Sequence, residues 1–245
     1  MSDRRGFLKA AGGTLGAALI AGRESLAAEP VAAGSKPAPL TILFQGDSIT
    51  DNGRSRTAAE PNGTAQLGGG YPYLVAAEAL AAEPARGLRF FNRGISGHKV
   101  PDLAARWNTD TIALKPDVLS ILVGVNDFWH KLLNGYKGTV EDYEKGYGDL
   151  LAATRAALPA TRIIVLEPFT LRTGAVDGRW FPEFDARRAA AARVAKAAGA
   201  RFVPLQSIFD RLTRNTPPAF WAADGVHPTP AGHAVIARAW REAAH

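Results

Sequence analysis

The stretch Gln45-Gly46-Asp47-Ser48-Ile49-Thr50-Asp51 follows directly on an apolar run at residues 40–44. Its serine therefore stands at the carboxyl end of an expected strand and opens the next helix. Unpaired backbone N–H groups at a helix start favour developing negative charge, which suits a nucleophile. Asp and Ser are also preferred helix caps, so this stretch taken alone reads equally as a cap. Near the other end, Trp221-Ala222-Ala223-Asp224-Gly225-Val226-His227-Pro228 sets a carboxylate and an imidazole three residues apart. Across such a turn Asp224 can fix the tautomer of His227, so that the other ring nitrogen faces a serine. Metal ligation is the competing use of such a pair, but no second histidine or carboxylate stands beside it at ligand spacing. His233, the nearest histidine, falls in an expected final helix.

A serine, an imidazole and a carboxylate do not suffice for acyl transfer, which also needs donors for the tetrahedral oxyanion. Two further segments offer them. Asn92-Arg93-Gly94-Ile95-Ser96-Gly97 follows a second apolar run, and a glycine there lets a backbone N–H approach a substrate closely. Gly124-Val125-Asn126-Asp127 follows a third and brings the Asn126 amide to the same edge. Each also reads as an ordinary turn, since Asn, Gly and Asp dominate turns. Four such segments in one order, each beside a strand end or the last helix, are harder to reconcile with turns alone.

The elements that must position these residues are legible as alternating types. Short runs rich in β-formers at residues 40–44, 88–91, 118–123, 162–166 and 201–203 are expected to be buried parallel strands. Residues 73–82, 140–158 and 183–198 have the length and the Ala, Leu, Glu and Arg content of covering helices. A last helix is expected from Pro230, with Thr229 as its N-cap. Alternation of this kind predicts an α/β three-layer sandwich, an approximately five-stranded parallel sheet with helices on both faces. Sites in such folds collect at the carboxyl ends of the strands.

With 245 residues, 47% of them hydrophobic, the chain fits one globular domain, expected over residues 40–245. It contains no cysteine, which removes disulfides, thiolate nucleophiles and Cys-ligated metals. The formal net charge of +6 comes from scattered basic residues without a dense patch or a recognisable nucleic-acid motif, so no nucleic-acid partner is expected. Arg4-Arg5-Gly6-Phe7-Leu8-Lys9 precedes a small-residue apolar stretch at residues 10–22, too short to span a bilayer comfortably. Residues 1–28 resemble a twin-arginine export signal, with Asp3 where Ser or Thr usually precedes the arginine pair. The expectation is export to the periplasm or outside the cell, with no stable membrane association once the signal is removed. Residues 29–39, rich in Pro, Ala and Gly, read as a flexible leader.

Taken together, the blocks G-D-S at Ser48, N-x-G at Gly94, G-x-N-D at Asn126 and D-x-x-H ending at His227 resemble the four signature blocks of the SGNH (GDSL) hydrolases. The resemblance spans residues 46–227 and implies the flavodoxin-like fold of that superfamily. It implies Ser48 as nucleophile and backbone donor, Gly94 as second backbone donor and Asn126 as side-chain donor. His227 would serve as general base and then acid, oriented by Asp224, with no metal or organic cofactor. No G-x-S-x-G elbow surrounds Ser48, which sets the chain apart from the α/β-hydrolases. The longer strings at residues 44–53, 94–97, 102–107, 126–129 and 227–233 are similar to the single-domain acetylxylan esterases. That similarity implies a small acyl group on a carbohydrate or small-molecule ester and, as in some such esterases, a homo-oligomer. A short-chain lipase, arylesterase or thioesterase would use the same residues, and a non-catalytic carbohydrate-binding protein is the alternative of another class. Asp47, Trp129 and Trp221 are expected to line the substrate, the tryptophans through their large rigid faces; His98 and His130 are read as polar rim residues.

Overall fold

The structure, a computed structural model, describes residues 38–244. The expected export signal, all but the last two residues of the leader, and His245 lie outside the described residues. Strand β1 (Thr41–Gly46) leads through a one-turn helix α1 (Ser48–Asp51), a short α2 (Thr64–Leu67) and α3 (Tyr71–Ala82) to strand β2 (Arg89–Asn92). Helix α4 (Val100–Trp107) continues into one π-helical turn, Asn108–Ile112, before β3 (Val118–Leu122). Next come α5 (Val125–Asn134), α6 (Val140–Ala157) and β4 (Arg162–Leu166). The chain then runs through α7 (Glu183–Ala197), β5 (Arg201–Val203), α8 (Leu205–Leu212), α9 (Pro218–Trp221) and α10 (Pro230–Ala244).

All five strands are parallel, in the order β2-β1-β3-β4-β5. Successive side chains of a strand leave opposite faces, and the apolar residues sort accordingly. Ile42, Phe44, Val118, Leu122, Ile164 and Leu166 enter a core shared with α3, α8 and α10. Leu43, Leu119, Ile121, Ile163 and Val165 enter a second core beneath α4, α6 and α7. A sheet buried on both faces needs apolar residues at both phases, which is why its strands read as continuous runs. Strands β2 and β3 flank β1 on opposite sides, so the strand order switches direction at β1. In open parallel sheets the ligand crevice lies at such a point, here outside the carboxyl end of β1, and Ser48 stands there.

The expected helices appear with their ends moved by at most two residues, and Thr229 Oγ1 accepts from Gly232 N–H at 3.3 Å as the cap of α10. Helices α2, α4, α5, α8 and α9 lie outside the helical segments named from the sequence. For α5 the reason is local: Gly124-Val125-Asn126-Asp127 has turn composition, and helix starts and turns draw on the same residues. Asn126 therefore sits in the first turn of a ten-residue helix, with Trp129 and His130 on its continuation.

Candidate active site

Ser48 Oγ lies 2.8 Å from His227 Nε2, and His227 Nδ1 lies 2.6 Å from Asp224 Oδ2. The remaining carboxylate oxygen, Oδ1, accepts the backbone N–H groups of Val226 at 2.9 Å and His227 at 2.7 Å, which closes the turn between them. Burial raises the Asp224 pKa, but the hydrogen bonds from the His227 ring and from both amides outweigh it, and the net shift is downward. The segment after β4 braces this loop from behind. Leu171 N–H donates to Gly225 O at 2.8 Å, and Ala175 N–H to Asp224 O at 2.9 Å.

Asp47 caps α1, its Oδ1 accepting from Ile49 N–H at 3.0 Å, and is only 1% exposed. It therefore does not line the substrate as expected; it faces the interior, where burial raises its pKa to about 7. Ser48 N–H has no partner among the described residues and is available at the helix start. Asn126 is held by one Nδ2 hydrogen, donated to His98 O at 3.2 Å, which leaves the second free. The neighbouring Asp127 accepts from Val100 N–H at 3.1 Å, capping α4, and is likewise raised to about 7 by burial.

The loop after β2 departs from expectation. Gly94 N–H is committed to Asn92 Oδ1 at 2.8 Å, so it is not free to serve as the second oxyanion donor. What requires a glycine there is packing: a Cβ on Gly94 would stand 2.4 Å from Asp51 N. Gly97, three residues on, has an amide with no partner among the described residues and a φ of +81°. Its neighbours are anchored on both sides. Ser96 donates through N–H and Oγ to Asp51 Oδ2 at 2.9 and 2.8 Å, and His98 O takes the Asn126 bond. The Gly97 amide is thus suspended between the helix of Ser48 and the side chain of Asn126.

Two guanidinium groups, not singled out from the sequence, grip the same loop. Arg54 Nε donates to Gly94 O at 2.6 Å. Arg106 Nη1 donates to Arg93 O at 2.8 Å and to Gln45 Oε1 at 2.9 Å, tying the end of β2 to the end of β1. Trp129 tilts beside His227 with ring centroids 5.8 Å apart, backed by the buried Trp180. Trp221 packs against Phe209 and Phe220 and, like Trp129, lies partly buried against the same core. Among the described residues no group of three or more His, Cys, Asp or Glu side chains is arranged to hold a metal ion.

A parallel sheet in this order, with a serine, histidine and aspartate relay at the carboxyl end of β1, defines a hydrolase of the SGNH type. The GDSL-like lipase/acylhydrolase family model matches residues 44–235, and the chain belongs to that family. It is a carboxylic ester hydrolase. An acetylxylan esterase of Geobacillus stearothermophilus is 36% identical over 203 residues, covering 81% of this chain and 91% of that protein. A solved structure of the acetylxylan esterase Axe2 from the same organism, in a catalytic-mutant form, superposes with a TM-score of 0.77 at 34% identity, covering 85% of this chain and 96% of that one. A Parabacteroides merdae protein described as a GDSL-like lipase superposes with a TM-score of 0.82 at 47% identity, covering 84% and 96%.

Proposed function

We propose that this protein is a serine esterase that removes short acyl groups, acetyl foremost, from carbohydrate esters such as acetylated xylan or xylo-oligosaccharides. The observation that carries the mechanism is the relay from Ser48 Oγ to His227 Nε2 at 2.8 Å and from His227 Nδ1 to Asp224 at 2.6 Å. Ser48 Oγ attacks the ester carbonyl carbon while His227 takes the hydroxyl proton, and Asp224 stabilises the imidazolium that forms. The tetrahedral oxyanion is held by Ser48 N–H, Gly97 N–H and the free Nδ2 hydrogen of Asn126. His227 then protonates the departing alkoxide as the C–O bond breaks, giving the acyl-enzyme. Water, deprotonated by His227, attacks that ester, and Ser48 leaves with its proton restored.

The acetyl preference and the carbohydrate alcohol rest on the relatives named above, together with Trp129, whose ring offers a sugar a flat face beside His227. We further propose that the chain is exported under its amino-terminal segment. The test of the chemistry is acetate release from acetylated xylan, set beside other acetylated sugars and a series of simple esters of rising acyl length. Preference for acetyl esters of xylose units is the expected result. Equal rates on every ester would reject the specialised reading, and full turnover by Ser48→Ala would reject the mechanism.

A further inference from the structure

Two imidazoles flank Gly97, and the acyl-transfer steps use neither. His130 lies one helical turn after Asn126 on α5, so the two side chains leave the same face of the helix. Its Cε1 stands 3.8 Å from the point where a Cβ on Gly97 would be. His98 follows Gly97 directly, and Arg106 Nε lies 3.3 Å from its Nδ1. A guanidinium N–H can only donate, so Nδ1 accepts and the proton of His98 resides on Nε2. That Nε2–H has no partner among the described residues, and neither ring nitrogen of His130 has one. Both side chains are part-buried, and burial followed by nearby cations, Arg106 for His98 and Lys99 for His130, pushes both pKa values down. Each ring is therefore neutral near pH 7 and offers a directed N–H.

We propose that His98, on the loop of Gly97, and His130, on the helix that carries Asn126 and Trp129, form a subsite that hydrogen-bonds the hydroxyl groups of the sugar alcohol in the ester, and that this subsite selects carbohydrate esters. The proposal rests on the esterase reading above. An acetyl group carries no hydrogen-bonding group beyond the carbonyl oxygen, which the oxyanion donors already hold. Imidazoles that each keep an N–H without a partner match a polyol instead. The cations that act on the two rings each face a carboxylate: Lys99 with Asp102 at 2.7 Å, Arg106 with Asp110 at 2.9 Å and Arg56 with Asp51 at 3.7 Å. The subsite therefore suits neutral hydroxyls better than a carboxylate-bearing alcohol.

The test compares kcat/KM on an acetylated xylo-oligosaccharide with kcat/KM on 4-nitrophenyl acetate, whose alcohol carries no additional hydroxyl. His130→Ala should lower the ratio of the two roughly tenfold, mostly through KM for the sugar ester, about the worth of one well-made hydrogen bond, and His98→Ala, which also takes an acceptor from Arg106, should lower the ratio by a similar factor on top of any loss common to both substrates. His130→Gln, which keeps a donor and an acceptor, should recover most of the ratio, and His130→Phe should not. The same substitutions in a Ser48→Ala background should weaken binding of the acetylated xylo-oligosaccharide by a similar factor, measured by calorimetry without turnover. A ratio and a binding constant within twofold of their parents overturn the subsite. Failure of the esterase reading shows separately, as a wild-type protein that releases no nitrophenol.

Discussion

Asp224 grips His227 at two points, taking the ring Nδ1–H on Oδ2 at 2.6 Å and the backbone N–H of the same residue on Oδ1 at 2.7 Å. One carboxylate thus fixes both where the imidazole is hung and which nitrogen bears its proton. Asp224→Asn keeps the size and one acceptor but can turn its NH₂ toward Nδ1, which strands the proton on Nε2, where Ser48 needs a base. Turnover of a short acyl ester should fall by roughly 10⁴-fold with little change in thermal midpoint, the order found when the same change is made in serine proteases. Asp224→Ala additionally frees the Val226 and His227 amides and should lower the midpoint as well. Activity and unfolding measured on both variants separate the two duties.

Gly94 and Gly97 should respond oppositely to the same substitution. A methyl on Gly94 meets Asp51 N at 2.4 Å, so Gly94→Ala must push the loop off α1 and should lower stability first. At Gly97 there is room, the nearest atom being His130 Cε1 at 3.8 Å, but the backbone is left-handed at φ +81°. Gly97→Ala should cost about 1–2 kcal/mol of backbone strain or turn the peptide to escape it. In either case it disturbs the amide proposed to meet the oxyanion, so kcat should fall out of proportion to the midpoint. Asn126→Ala supplies the scale, an expected loss of about 10²–10³ in kcat for one donor. If Gly94→Ala alone lost turnover while the fold stayed intact, the assignment of the donor to Gly97 would fail.

How far the sequence reaches can be judged at these same residues. The strands at residues 162–166 and 201–203 were legible to the residue because each sets β-forming apolar residues directly behind an arginine, Ile163 to Leu166 being buried and Phe202 and Val203 forming the shorter edge strand. Ser48, Asp224 and His227 were legible because their chemistry needs those residue types beside strand and helix ends. Which glycine of the loop keeps its amide unpartnered was not, because the answer lies in a buried side chain. Asn92 turns Oδ1 back onto Gly94 N–H while its Nδ2 holds Thr50 O at 2.6 Å and Leu67 O at 2.8 Å. Nor does local spacing say that Asp47 points inward, or that Arg54 and Arg106 reach across 40 and 61 residues to Gly94 and Gln45. Pattern specifies the edge of the sheet, and long-range packing specifies which polar groups at that edge are left unpaired.

The buried carboxyls Asp47 and Asp127 make a statement about pH. Each has an ordinary pKa near 4 in the unfolded chain and about 7 in the fold, raised by burial. Between those values the unfolded chain has released protons that the folded chain still holds, so folding is progressively penalised as pH rises from about 4 through about 7. Below that window the penalty is absent, and above it the penalty is complete. Asp47→Asn keeps the Oδ1 acceptor for Ile49 N–H and removes the ionisation. Relative to the wild type, its thermal midpoint should be higher by about a few degrees at pH 8 and by distinctly less at pH 5. An advantage independent of pH would mean that Asp47 does not titrate in this window.

Arg106 tests whether the hole is built or merely present. Its side chain touches none of the proposed oxyanion donors, yet it binds Gln45 at the end of β1, Arg93 O at the end of β2 and His98 beyond Gly97, with Asp110 at 2.9 Å as its counter-charge. These contacts tie the strand that leads into Ser48 to the loop that carries Gly97, the proposed donor. A donor displaced by about 1 Å can cost as much as two orders of magnitude. Arg106→Gln, which cannot span the three acceptors, should lower kcat at least tenfold on simple and sugar esters alike. KM for 4-nitrophenyl acetate should change little, because a displaced oxyanion donor weakens the transition state more than the bound ester. Arg106→Lys keeps the charge without the fork and should recover only part of the loss. A merely structural arginine would lower the thermal midpoint while leaving kcat below the unfolding range unchanged, so kcat measured well under the midpoint decides between positioning and packing.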